Sequence, residues 1–218
     1  MKGTIKAVLF DLDGTLLDTA PDMANAANCV LCDYGLPPLN DAQIQANTSH
    51  GARGLLRAGF GDSLEGREID TLLLSFLDHY EKSICTDTKL YEGVIDLVAQ
   101  LSARNIPWGI VTNKPGFLTS MLLPYFPELE QTQALVCADT LSRAKPHPDP
   151  LIYAAGLISV LPSQCLYVGD IENDIVAAKA AGMYSAVAAW GYIGAEQNPV
   201  EWDADLIFNK AVDVLSLF

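Results

Sequence analysis

The chain has 218 residues, a formal net charge of -14, a pI near 4.4 and 50% hydrophobic side chains. That length holds one large domain, or a core domain with a smaller insert. The apolar share excludes a disordered chain, and the acidity argues against nucleic acid or an anionic membrane as partner. Cys29, Cys32, Cys85, Cys137 and Cys165 form no dense disulfide framework, and Cys29 and Cys32 fall in a helical pattern without a partner pair, so they read as structural. No segment has the make-up of a signal peptide or the length of a membrane span. A cytoplasmic protein is expected.

Residues 5–10 read as a short buried strand that runs into Asp11-Leu12-Asp13-Gly14-Thr15. Thr19-Ala20-Pro21-Asp22 has the make-up of a helix start, with proline tolerated in the first turn, and this helix runs to about Tyr34. Gly35-Leu36-Pro37-Pro38 stops it. Helices follow near 40–47, 51–58 and 65–84, and no strand is expected from 16 to 90. The alternation then resumes with a helix at Val94–Arg104, a strand at Ile106–Val111, a helix at Pro115–Leu123, a strand at Ala134–Ala138 and a helix at Asp149–Ala155. Leu166–Val168 reads as the strand before a second acidic loop, Gly169-Asp170-Ile171-Glu172-Asn173-Asp174. A helix at Ile175–Ala181, strands at Ser185–Ala189 and Leu206–Phe208 and a final helix at Val212–Leu217 complete the chain. Strands separated by helices imply an α/β fold: a three-layer Rossmann-like core with a mostly parallel sheet. The helical stretch after the first strand implies an all-helical insert.

In open α/β sheets ligands bind beyond the carboxyl ends of the strands. Asp11, Asp13, Asp170 and Asp174 all fall there. Carboxylates gathered at one edge repel one another unless a hard cation sits among them, which points to a Mg2+-type site. A carboxylate such as Asp11 can attack phosphorus, and a neighbouring acid such as Asp13 can protonate a leaving oxygen and later activate water. Gly14 permits a sharp turn and close approach of backbone donors to an anion. Taken alone, Asp-x-Asp-Gly also suits a calcium loop or a surface turn. Two further strand ends favour the first reading: Thr112 and Asn113 offer a hydroxyl and an amide to phosphate oxygens, and Lys145 offers an ammonium. Trp108 reads as core. Trp190-Gly191-Tyr192, after the Ser185–Ala189 strand, either frames a site entrance or packs.

These segments together resemble the haloacid dehalogenase-like hydrolase superfamily, in particular its phosphoglycolate phosphatase-like branch. The first motif matches as Asp11-Leu12-Asp13-Gly14-Thr15-Leu16, the second as Thr112-Asn113, the third as Lys145-Pro146 and the fourth as Gly169-Asp170 with Asp174. The resemblance implies a core of residues 1–15 and 89–218 with a helical cap at 16–88. It implies Asp11 as nucleophile and Asp13 as general acid/base. It also implies Mg2+ bound by Asp11, the Asp13 backbone carbonyl and Asp170, with Asp174 ordering the metal's waters or Lys145. Thr112, Asn113 and Lys145 would clamp the phosphoryl group. Dehalogenases of the superfamily lack the second acid, so Asp13 argues for phosphate chemistry.

Thr48-Ser49-His50-Gly51-Ala52-Arg53-Gly54 joins two of the expected cap helices. Arg53 is the expected clamp on a substrate anion, because a guanidinium holds a carboxylate or phosphate in a fixed fork. His50 and Ser49 are weaker candidates beside it. The expected partner is a small phosphorylated metabolite, with 2-phosphoglycolate first. N-acetylmuramic acid 6-phosphate is the alternative, since phosphatases for it in this branch carry a similar cap stretch, and a hexose-phosphate mutase is a third. A signalling receiver domain is the rival from another class, but it lacks Asp13 and a cap. Both monomer and dimer remain open.

Overall fold

A computed structural model describes residues 4–64, 69–194 and 196–218. The elements run β1 (Ala7–Phe10), β2 (Leu17–Asp18), α1 (Ala20–Asp33), α2 (Asp41–Asn47), α3 (Gly51–Phe60), α4 (Ile69–Lys82), β3 (Lys89–Leu90) and α5 (Val94–Ala103). They continue through β4 (Trp108–Val111), α6 (Gly116–Leu122), β5 (Leu135–Val136), α7 (Asp149–Leu157), β6 (Cys165–Gly169), α8 (Glu172–Ala180), β7 (Tyr184–Ala188) and β8 (Leu206–Phe208). The expected helix at 65–84 appears as α4, and its residues 65–68 lie outside the described residues.

The chain forms two compact units. The first comprises Met1–Asp18, Leu90–Gly191 and Asn198–Phe218. Its six-stranded sheet has the order β5-β4-β1-β6-β7-β8 and is parallel at every pairing. The three central strands, β4, β1 and β6, are buried along their whole length. Parallel strands covered on both faces require such continuous apolar runs, here Ala-Val-Leu-Phe, Trp-Gly-Ile-Val and Cys-Leu-Tyr-Val-Gly. Each fully buried side chain such as Val8, Leu9 or Ile110 contributes about 1.5–3 kcal/mol relative to exposure. Trp108 is core, edge-on to Phe10. Helix α7 packs on β4 and β5, and α8 on β6 and β7.

The second unit comprises Thr19–Lys89 and Tyr192–Gln197. Helix α1 buries Met23, Ala26, Ala27, Val30 and Leu31 on one stripe, as the 3.6-residue period requires. The capping box of Asn40 and Gln43 starts α2. Phe76 and Tyr80 stack on α4. Asp22, in the first turn of α1, is buried and accepts N–H bonds from Thr86, Asp87 and Thr88 plus the Thr88 hydroxyl. The unit takes in a return segment that the sequence reading leaves with the core. There the Tyr192 hydroxyl accepts the N–H groups of Thr19 (2.6 Å) and Ala20 (2.8 Å), two of the donors that a helix start leaves unpaired.

Three expectations are corrected. Two short strands, β2 and β3, occur where none is expected from 16 to 90, because two-residue strands carry no readable period. Helix α8 begins at Glu172 rather than Ile175, since Asp174 accepts the Ile171 N–H and closes a first turn that has no apolar pattern. The last helix, Ala211–Leu217, is 3-10 rather than α, in keeping with the poor helix propensity of Val212 and Val214.

Candidate active site

The sheet brings three strand ends side by side. Asp11 follows β1, Thr112 follows β4 and Asp170 follows β6, and β1 pairs with both neighbours. The Asp11 N–H bonds the Val168 carbonyl (2.9 Å), so this aspartate continues the ladder and its backbone is rigid.

Lys145 lies between Asp11 and Asp174. Its ammonium is 2.9 Å from Asp11 Oδ1 and 2.8 Å from Asp174 Oδ1, and it also donates to the Tyr167 hydroxyl (2.7 Å). Tyr167 in turn donates to the Val111 carbonyl. Burial pushes down on the Lys145 ammonium, but Asp11 and Asp174 outweigh it and hold its pKa above the ordinary lysine value. For Asp11 burial wins: desolvation, only partly offset by Lys145, pushes its carboxyl up to about 7, and Asp174 and Asp13 add to the rise.

Asn113 turns both ends of its amide to the main chain of Lys145. Its Nδ2 donates to the Lys145 carbonyl (2.9 Å) and its Oδ1 accepts the Lys145 N–H (3.1 Å). The side chain expected to meet phosphate therefore anchors the lysine. Thr112 is buried, and its hydroxyl oxygen accepts the Lys114 N–H (3.1 Å).

Asp13 pairs with Lys114, whose ammonium lies 3.0 Å from Asp13 Oδ1 and whose side chain is 4% exposed. Lys114 is not among the site residues expected from the sequence. Its one signal is a place beside Thr112 and Asn113 at a strand end. Tyr167 is missed too, as an ordinary residue of an apolar strand.

Asp170 is buried and accepts the Thr15 hydroxyl (3.1 Å). Two glycines make room for it. A β-carbon at Gly14 would fall 2.2 Å from Asp170 Oδ2, and one at Gly191 would fall 2.3 Å from the Asp170 β-carbon. Gly14 also has φ +82°, which side chains rarely adopt. The neighbours of Gly191 pack: the Trp190 indole donates to the Thr15 carbonyl (3.0 Å).

Asp11, Asp170 and Asp174 each offer an oxygen within 4.8 Å of the others, and all three residues are buried. Asp174 is already committed, to Lys145 through Oδ1 and to the Ile171 N–H through Oδ2. Among the described residues, four carboxylates here meet two ammoniums, Lys114 and Lys145. The formal surplus of negative charge, the oxygen-only donors and the glycine cradle fit a hard divalent cation.

The cap candidates lie in the helical unit. Thr48–His50 form a 3-10 turn, and Gly51–Gly54 already belong to α3. Arg53 pairs with Asp70 (2.8 Å), and both side chains are largely exposed. His50 is exposed at the start of α3. Ser49 Oγ is buried and has no hydrogen-bond partner among the described residues. No described helix is long and apolar enough to cross a membrane.

The family model for haloacid dehalogenase-like hydrolases matches residues 8–188. A phosphoglycolate phosphatase from Xanthomonas campestris is 44% identical, covering 94% of this chain and 92% of its own. An N-acetylmuramic acid 6-phosphate phosphatase from Pseudomonas aeruginosa is 38% identical, covering 97% and 95%. The crystal structure of a predicted phosphoglycolate phosphatase from Haemophilus somnus superposes with a TM-score of 0.88 at 28% identity, covering 100% of this chain and 99% of that one.

Proposed function

Because this chain belongs to the haloacid dehalogenase-like hydrolase family and is a phosphoric monoester hydrolase, we propose that it cleaves a small anionic phosphomonoester through an aspartyl-phosphate on Asp11. The carrying observation is that each of the two β1-end carboxylates has its own buried ammonium, Asp11 with Lys145 and Asp13 with Lys114.

In the first step an Asp11 carboxylate oxygen attacks phosphorus. The ester P–O bond breaks, and the leaving oxygen takes a proton from Asp13. In the second step Asp13 takes a proton from water, whose oxygen attacks the same phosphorus. The bond to Asp11 breaks, and phosphate and the original carboxylate are released. Lys145 offsets the charge that builds up as a carboxylate meets a phosphoryl group, and Asn113 keeps Lys145 in place. Thr112 holds a phosphoryl oxygen. Phosphoryl transfer rests mainly on such positioning and charge stabilisation. Asp11, the Asp13 backbone carbonyl and Asp170 would hold Mg2+, whose charge stabilises the phosphoryl oxygens. Asp174 orients Lys145.

The first-choice substrate is 2-phosphoglycolate. N-acetylmuramic acid 6-phosphate is the second reading, supported by the relative from Pseudomonas aeruginosa. Arg53, with Ser49 and His50 beside it, is the proposed cap contact to the substrate's anionic tail. The family match sets aside the signalling-receiver alternative. The test is kcat/KM on 2-phosphoglycolate, N-acetylmuramic acid 6-phosphate and hexose phosphates, with added Mg2+ and after chelation. A best substrate outside the phosphomonoesters, or turnover undiminished by chelation, would overturn the proposal.

A further inference from the structure

We infer that Lys114 is a positioning residue of the reaction: its buried ammonium fixes the Asp13 carboxyl group, held at Oδ1, for both proton transfers. The inference rests on the proposed role of Asp13.

The main chain of Lys114 is held on both sides. Its N–H donates to the Thr112 hydroxyl oxygen (3.1 Å), and its carbonyl accepts the Ala138 N–H (3.1 Å). Pro115 follows, capping α6. From this anchored base the side chain runs through the interior and ends 3.0 Å from Asp13 Oδ1. Asp13 itself is partly exposed, with a side chain 21% accessible, and it sits in the turn after β1, bridged to Leu17.

An ion pair of this kind is a poor device for stability alone. Removing an ammonium from water is costly, and an apolar side chain of the same volume often stabilises as well or better. What a buried, anchored ammonium does supply is a fixed direction for its partner. A general acid/base must lie within hydrogen-bond reach of two different oxygens in turn, the leaving ester oxygen and the attacking water, so its placement is decisive. The segment Thr112-Asn113-Lys114 thereby serves both carboxylates. Asn113 anchors Lys145, the partner of Asp11, and Thr112 anchors Lys114, the partner of Asp13.

The test is a double-mutant cycle of Lys114→Met and Asp13→Asn, with Lys114→Gln and Lys114→Arg in parallel. The substrates are the best alkyl phosphomonoester and 4-nitrophenyl phosphate, whose leaving group needs no proton. Circular dichroism and melting check that each variant folds, and the Gln variant replaces Met where Met does not. Three results are expected. Lys114→Met lowers kcat on the alkyl ester on the order of tenfold or more, with little change in KM. The loss in kcat/KM is much smaller on 4-nitrophenyl phosphate, and Lys114→Arg recovers part of it. In the Asp13→Asn background the Lys114 change has no further effect.

A Lys114 loss that persists undiminished in Asp13→Asn overturns the inference alone. So does a rise in KM at constant kcat, which would make Lys114 a substrate contact. An Asp13→Asn enzyme with full turnover on the alkyl ester overturns the proposed role of Asp13, and the inference with it.

Discussion

Gly14 and Asp170 cannot both be kept if Gly14 gains a side chain: its β-carbon would lie 2.2 Å from Asp170 Oδ2. The turn that carries Asp13 is thus built around the carboxylate that follows β6. Gly14→Ala should displace Asp170 and raise the Mg2+ concentration for half-maximal activity about tenfold or more, as loss of a positioned ligand does. Gly156→Ala is the control. Its β-carbon meets nothing within 4 Å in α7, so it should stabilise the fold by about 0.5–1 kcal/mol and leave the Mg2+ requirement alone. Mg2+ titrations of kcat and thermal melts check both.

Asp11→Asn should abolish turnover, and in the metal-free protein its stability should gain on wild type as pH rises. Burial raises the Asp11 carboxyl from 3.8 to about 7. The folded state then holds this proton more tightly than the unfolded state, so the stability it contributes is full below the unfolded value and lost as pH rises through the folded one. Urea unfolding in chelator at about pH 5 and about pH 8 should show the variant gaining on wild type at the higher pH. An equal difference at both would contradict it.

The same raised carboxyl predicts proton release when Mg2+ binds near neutrality, because a metal ligand must be ionised. Calorimetric titration with Mg2+ in two buffers of different ionisation enthalpy should give different apparent heats at about pH 6.5. The difference should shrink well above pH 7 and vanish in Asp11→Asn.

Much of this site is legible in the sequence because its chemistry is carried by charge at strand ends. Buried runs such as Ala7–Phe10 and Cys165–Gly169 mark central parallel strands, and a carboxylate directly after such a run stands at the sheet edge where ligands bind. What is not legible depends on direction. A lysine in a sequence does not say whether it turns to water or, like Lys114, inward to Asp13. Asn113 could offer its amide to phosphate or to the main chain, and only the fold shows the Lys145 backbone within its reach. Asp174 reads as a loop residue because the first turn of α8 is held by hydrogen bonds rather than by apolar periodicity. Strands as short as β2 and β3 leave no pattern at all.

Asp22 should prove a keystone of the helical unit. It is buried and bonded to the Thr86 (3.0 Å), Asp87 (3.1 Å) and Thr88 (2.9 Å) N–H groups and to the Thr88 hydroxyl (2.6 Å). Asp22→Ala would strand these donors and cost about 3 kcal/mol. Asp22→Asn should cost less, since one acceptor remains. Urea denaturation followed by circular dichroism measures both.

Arg53→Ala separates stability from specificity. The Arg53–Asp70 pair is exposed, so its loss should change stability by less than about 1 kcal/mol. If Arg53 meets the substrate's anionic tail, kcat/KM on the best substrate should fall by about tenfold or more, and activity on 4-nitrophenyl phosphate should change little. Equal effects on both substrates would remove Arg53 from the proposed contact.

The most direct measurement is chemical trapping of the covalent step. The enzyme is mixed with Mg2+ and its best substrate, quenched in acid within milliseconds, reduced with borohydride and digested for mass spectrometry. An acyl phosphate on Asp11 would be reduced to homoserine at position 11, absent from the Asp11→Asn variant and from enzyme without substrate. Homoserine at position 13 or 170, or an unmodified Asp11 under conditions of rapid turnover, would contradict the account.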